Sequence, residues 1–106
     1  MNHLQYYLTM LSEESSEIIK ECAKSQRFGL LSEHPDTGVA NHENIKAELN
    51  DLLAIVECLN EEYNLGFAPC REAIDAKKRK MARFLQHSVE EGYVTMDVPE
   101  KMYPKK

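Results

Sequence analysis

Between Asn41 and Tyr63 the apolar residues Ile45, Leu49, Leu52, Val56, Leu59 and Tyr63 recur in steps of four and three. A helix completes a turn in 3.6 residues and so gathers these positions on one face, whereas a half-buried strand needs an apolar residue at every second position. A helix of this length presents a stripe that must be buried against something. A chain of 106 residues has room for one compact domain with a modest core, so other helices and further subunits are the expected cover.

The same periodicity runs from Leu4 through Tyr7, Leu8, Leu11, Ile18, Ile19 and Cys22. It predicts a first helix ending near Phe28, with Gly29 in a left-handed cap. Residues 29–41 hold Pro35, Gly38 and the turn formers Ser32, Asp36, Thr37 and Asn41. They read as a connecting loop long enough to fold over a ligand, with Asn41 capping the second helix. Asn64–Pro69 breaks the second helix, and Pro69 suits the first turn of a third, which carries Ile74, Met81, Phe84, Leu85 and Val89 and stops near Gly92. The expected architecture is all-α: an antiparallel bundle of three to four helices over residues 1–92, its core completed by oligomerisation. A tail follows at 93–106, with a short alternating piece around Val94, Met96 and Val98.

Charge narrows the partners. The net charge of −5 argues against general nucleic-acid binding, which needs basic surface to neutralise phosphates. It is also segregated: residues 1–62 carry four Lys/Arg against twelve Asp/Glu, and residues 63–106 carry nine against six. No stretch is apolar enough to span a bilayer and the start lacks a signal-peptide pattern, so a cytoplasmic location is expected. Cys22, Cys58 and Cys70 form no metal pattern and read as reduced core thiols. His3, His34, His42 and His87 read as surface or helix-end residues, and Tyr6, Tyr7, Phe28 and Phe67 as core or interface.

Two acidic pairs stand out. Glu14 and Glu17 are three residues apart, as are Glu48 and Asp51, so each pair lies on one helix face. Both border an apolar stripe: Glu14 lies between Leu11 and Ile18, Glu48 adjoins Leu52, and Asp51 adjoins Ile55. If the stripes pack together, four carboxylates converge beside the core and repel unless a cation or protons intervene. Hard oxygen donors select Mg²⁺, Mn²⁺ or Ca²⁺ over zinc, and Mg²⁺ accepts phosphate oxygens. The spacing alone is common: Glu33–Asp36 and Glu72–Asp75 match it too, the first in a Pro-containing loop and the second ahead of a basic run.

The stretch Leu11–Ser12–Glu13–Glu14–Ser15–Ser16–Glu17–Ile18, then Lys24 and Arg27–Phe28–Gly29, then Glu48–Leu49–Asn50–Asp51–Leu52–Leu53, resembles the MazG-like family of all-α NTP pyrophosphatases. The segment Ala76–Leu85, with Ser88 and Gly92 beyond, is similar to the closing helix of compact, often phage-encoded, members. The resemblance covers roughly residues 4–92. It implies dimers or tetramers, Glu14, Glu17, Glu48 and Asp51 as Mg²⁺ ligands (Mn²⁺ a possible substitute), and hydrolysis of an NTP or dNTP to monophosphate and pyrophosphate. Ser15 and Ser16 depart from the small residues common there.

The chemistry runs the same way, since a polyphosphate substrate needs its charge offset and an attacking water oriented, with Glu13 and Glu17 both candidates for the latter. Lys77, Lys80 and Arg83, with Lys24, are the candidate phosphate donors, while Lys78 and Arg79 fit a solvated face better. Lys24 and Arg27 could equally pair with Glu21. A non-catalytic helical interaction module, or a dUTPase-like or alarmone hydrolase on the same scaffold, remains open.

Overall fold

The computed structural model describes residues 1–96. It is all-α: α1 is His3–Phe28, α2 is Asn41–Tyr63 and α3 is Arg71–Glu90. Among the described residues there is no strand, only an isolated bridge between Glu33 and Ala40. No helix is long and apolar enough to cross a membrane. The chain divides into two compact units, Met1–Phe67 and a second that begins at Ala68. Val98 and the rest of the tail beyond Met96 lie outside the described residues.

In the first unit α1 and α2 form an antiparallel hairpin. Its open end is tied by the Tyr7 hydroxyl, which donates to Glu62, and by the His3 Nδ1–Tyr63 hydroxyl contact of 2.7 Å. α1 begins with a capping box: Asn2 accepts from the Gln5 backbone N–H while Gln5 accepts from that of Asn2, each at 2.8 Å, satisfying two otherwise orphaned donors. It ends at Gly29, whose N–H donates to the Ser25 carbonyl. The positive φ of 101° there is as expected, but ψ of 146° lies outside the left-handed helical basin, because the chain leaves extended into the loop. At the other end of the hairpin, Asn64 is left-handed (φ 55°, ψ 40°). Asn60 then clamps the exit, donating to the Phe67 carbonyl and accepting from its N–H at 2.9 Å each.

Several expectations are corrected. Asn41 is the first helical residue of α2, not its cap; it is buried, and its side chain donates to the Gly29 carbonyl at 2.8 Å. Pro69 precedes Cys70, the residue that caps α3, rather than lying in its first turn. The thiols are not core residues: Cys22 and Cys70 are exposed and Cys58 is half-buried. His42 is at a helix end as expected but is buried, and Tyr6, Phe28 and Phe67 lie outside the core of the single chain.

The stripe of α2 is also rotated from its expected centre. Ile55 and Leu59 are buried and Ile45, Glu48, Leu52 and Val56 half-buried, while Leu49 and Tyr63 are exposed. The inward series is therefore 45, 48, 52, 55, 59, again in steps of three and four. α1 answers with half-buried Tyr7, Leu11, Glu14 and Ile18 and buried Glu21 and Ser25. On both helices carboxylates occupy positions where a hairpin core would ordinarily place apolar side chains.

Candidate metal centre

Glu14 and Glu48 face each other midway along the hairpin, and Asp51 joins them one turn along α2. Each offers a carboxylate oxygen within 4.8 Å of the others. Glu14 and Glu48 are half-buried and Asp51 is exposed, so the cluster opens to solvent on the Asp51 side. Glu14 Oε2 is shut off from solvent and no hydrogen-bond donor reaches it. A buried carboxylate oxygen without a donor is costly, and a proton shared with a neighbouring acid or a bound cation relieves it.

Crowding at Glu48 favours the first of these. Its hydrogen bond to Glu14 raises its carboxyl above the usual value, with desolvation and the negative charges of Glu14, Asp51 and Glu17 adding in the same direction. Neighbouring serines contribute nothing to the ligand set, since Ser12 and Ser15 hydroxyls donate back to the Leu8 and Leu11 carbonyls and Ser16 to that of Glu13. The centre is thus built from carboxylates alone, a donor set suited to a hard divalent cation.

Of the four expected ligands the fold brings three together. Glu17 lies outside the triad, its carboxylate 3.9 Å from Lys20 Nζ, although its charge is felt at Glu48. Of the alternatives for Lys24 the structure shows the ion pair, its Nζ lying 3.5 Å from Glu21 Oε1. Arg27 instead lies 4.7 Å from the Phe28 ring centre. Lys77, Lys80 and Arg83 belong to α3 in the second unit. There Lys80 and Arg83 flank the Phe84 ring at 5.9 and 5.2 Å and line a groove with Arg79 and Ala76. Arg79, set aside above as solvated, shares that groove.

Sequence reasoning passed over Glu21 as anything but an ion-pair partner. It is 7% exposed, its Oε2 without a hydrogen-bond partner. The signal was present, because Glu21 stands four residues after Glu17 and seven after Glu14 and so shares their helix face.

The crowding has a consequence for stability in the presence of a chelator. A folded-state pKa raised above the ordinary 4.5 means the favourable contribution is complete below the ordinary value. It is lost as pH rises through the raised one, because the unfolded chain ionises more readily. Chemical denaturation at stepped pH should therefore show stability falling over that interval, and Glu48→Gln should flatten the fall. An equal slope in the variant would assign it to other groups.

No protein-family model, curated protein or solved structure matches the chain.

Proposed function

We propose that the chain is a divalent-metal-dependent nucleoside triphosphate pyrophosphohydrolase, cleaving an NTP or dNTP between the α and β phosphates to give monophosphate and pyrophosphate. The observation that carries this reading is the convergence of Glu14, Glu48 and Asp51 from two helices around a buried carboxylate oxygen that no donor satisfies. The residues fit Mg²⁺, or Mn²⁺ in its place: Glu14, Glu48 and Asp51 would hold it, with Glu17 completing the set. The bound ion would supply charge to offset the phosphates and the departing pyrophosphate.

The chain's own residues account for the rest. Where Glu17 is not the fourth ligand, it or Glu13 would accept a hydrogen bond from the attacking water. Lys24, paired with Glu21 in this structure, is the phosphate donor proposed on α1. In the second unit, taken by itself, Lys77, Lys80 and Arg83 have the charge-assisted donors that phosphate oxygens take. The arrangement of order, spacing and apolar surroundings is the one in which the sequence resembles MazG-like enzymes.

Assembly belongs to the same proposal. Leu4 and Leu8 on α1, and Leu49 and Leu53 on α2, are exposed pairs one turn apart. Only Ile55 and Leu59 are buried apolar residues among those described. A homodimer or homotetramer, acting in the cytoplasm, would cover these faces.

Pyrophosphate release from a panel of canonical nucleotides, deoxynucleotides, dUTP, damaged nucleotides and guanosine tetraphosphate, with Mg²⁺ and with chelator, tests the reading. Release from at least one triphosphate in Mg²⁺ alone is the expected result. No release from any, together with no thermal stabilisation by Mg²⁺ plus nucleotide, would instead favour a helical interaction module whose acids serve solubility.

A further inference from the structure

The loop between α1 and α2 is ordered by its own hydrogen bonds. The His34 N–H donates to the Val39 carbonyl at 3.0 Å, that of Gly38 to the His34 carbonyl at 2.8 Å, and that of Asn41 to the Ser32 carbonyl at 3.0 Å. Gly38 turns the chain with φ of 71°, a conformation a side chain would strain. The buried Asn41 amide, donating to Gly29, ties the loop's two ends together.

Between this loop and the last turns of α1 lies a cavity of about 390 Å³ whose walls include Lys24, Phe28, Ser32, Glu33, His34 and Asn41. Its size is at the lower end of small-molecule sites. Its position is also fixed relative to the acids. Lys24 follows Glu17 by seven residues and Asn41 precedes Glu48 by seven. Each is two turns and about 10 Å along its helix from a carboxylate and nearly on the same face. On α2 the cavity therefore continues the face that carries Glu48, at a separation on the scale of a nucleoside; on α1 it continues the face of Glu17, with Lys24 about 15 Å along the helix from Glu14.

We propose that this cavity receives the nucleoside half of the nucleotide; the inference rests on the pyrophosphohydrolase reading, for which it supplies the missing base-recognition site. The lining suits that ligand. Phe28 is 60% exposed and, with the Arg27 guanidinium 4.7 Å from its ring centre, offers an aromatic surface of the kind that serves as a sequence-tolerant platform for a base. His34 Nδ1 accepts the Asp36 backbone N–H at 3.1 Å, so in the neutral ring the proton sits on Nε2, which is a donor. Glu33 beside it is an acceptor when ionised. The lining thus includes both a donor and an acceptor, the two kinds of group that a nucleobase edge pairs with. Lys24 is held on the wall by the buried Glu21 carboxylate, 3.5 Å away, and faces the sugar–phosphate side of such a ligand. The tyrosine cluster at the open end of the hairpin is a poorer candidate, because the Tyr7 and Tyr63 hydroxyls are engaged by Glu62 and His3.

Titration of the full chain in Mg²⁺ with AMP, CMP, GMP and UMP, followed by backbone amide NMR, tests the cavity directly, with ribose 5-phosphate as the base-free control. At least one monophosphate should shift amides of Phe28 and residues 30–41 more than ribose 5-phosphate does. Its Kd should weaken about tenfold in Phe28→Ala and in His34→Ala. Both residues' side chains lie outside the hairpin core, and an unchanged far-UV spectrum would show that the fold is kept. No monophosphate binding, shifts that spare the loop, or equal affinity in both variants would each overturn the inference. Pyrophosphate release with an unchanged KM in both variants would overturn the cavity while leaving the enzymatic reading standing. Loop-centred, variant-sensitive binding without any pyrophosphate release would keep the cavity and remove the enzyme.

Discussion

Glu48→Gln is expected to lower Mg²⁺-dependent pyrophosphate release by at least about a hundredfold, a loss at the upper end of those seen when only a metal ligand's supporting partner is removed. Glutamine keeps the shape of the side chain and one oxygen but removes the negative charge that a hard cation needs from its ligand. The same substitution should raise the unfolding temperature in chelator by a few degrees. In the metal-free chain Glu48 is crowded by Glu14, Asp51 and Glu17, all of one sign. A glutamine amide would give the buried Glu14 Oε2 the donor it lacks. Activity down and stability up is a combination that a merely structural glutamate would not produce, because loss of a structural contact lowers both. The opposing signs place the residue among the rule-breaking positions that functional sites retain at a cost in stability. Calorimetry should show the Mg²⁺-induced stabilisation shrinking in the variant as well. Turnover within twofold of the parent chain would remove Glu48 from the site.

That residue also shows where the sequence stops being legible. The series 45, 49, 52, 56, 59, 63 and the series 45, 48, 52, 55, 59 share Ile45, Leu52 and Leu59, so periodicity establishes the helix without fixing its rotation. Reading apolar residues alone chose Leu49, which is exposed, along with Val56, which is half-buried, and left out half-buried Glu48 and buried Ile55. The displaced position is the one that bears chemistry, since an acid in a core register looks like surface until its partner helix is placed. The helices themselves, their ends within a residue or two, and the meeting of Glu14, Glu48 and Asp51 follow from pattern and spacing.

The cavity under the loop does not follow in that way. It depends on hydrogen bonds between Ser32 and Asn41 and between His34 and Val39, pairings that turn-forming composition permits but does not specify. Burial of His42 and exposure of Cys22 likewise depend on which side of each helix faces its partner. Residue type sets only an average tendency for burial, and here the packing overrides it.

Leu59→Ala should be the most damaging single truncation in the hairpin. Leu59 is 2% exposed and Ile55 6%, and cutting a buried leucine to alanine typically costs about 2–5 kcal/mol once the cavity left behind is included. Set against a total of roughly 5–15 kcal/mol for a folded domain, that is a large fraction. The backbone compounds the sensitivity, because the Leu59 carbonyl accepts the Asn64 N–H that closes α2, so disorder at this turn reaches the exit held by Asn60. Urea unfolding should show a clear drop in midpoint, and a loss under about 1 kcal/mol would mean the hairpin core lies elsewhere. Leu53→Ala separates core from assembly. Leu53 is 51% exposed, so in an isolated chain its truncation should cost no more than about 0.5 kcal/mol. If a second copy covers Leu49 and Leu53, the deficit in Leu53→Ala should be largest at high protein concentration and shrink to the isolated-chain value on dilution, because the interface adds stability only while the subunits are associated. Leu59→Ala would lose intrinsic stability even where the concentration holds the subunits together.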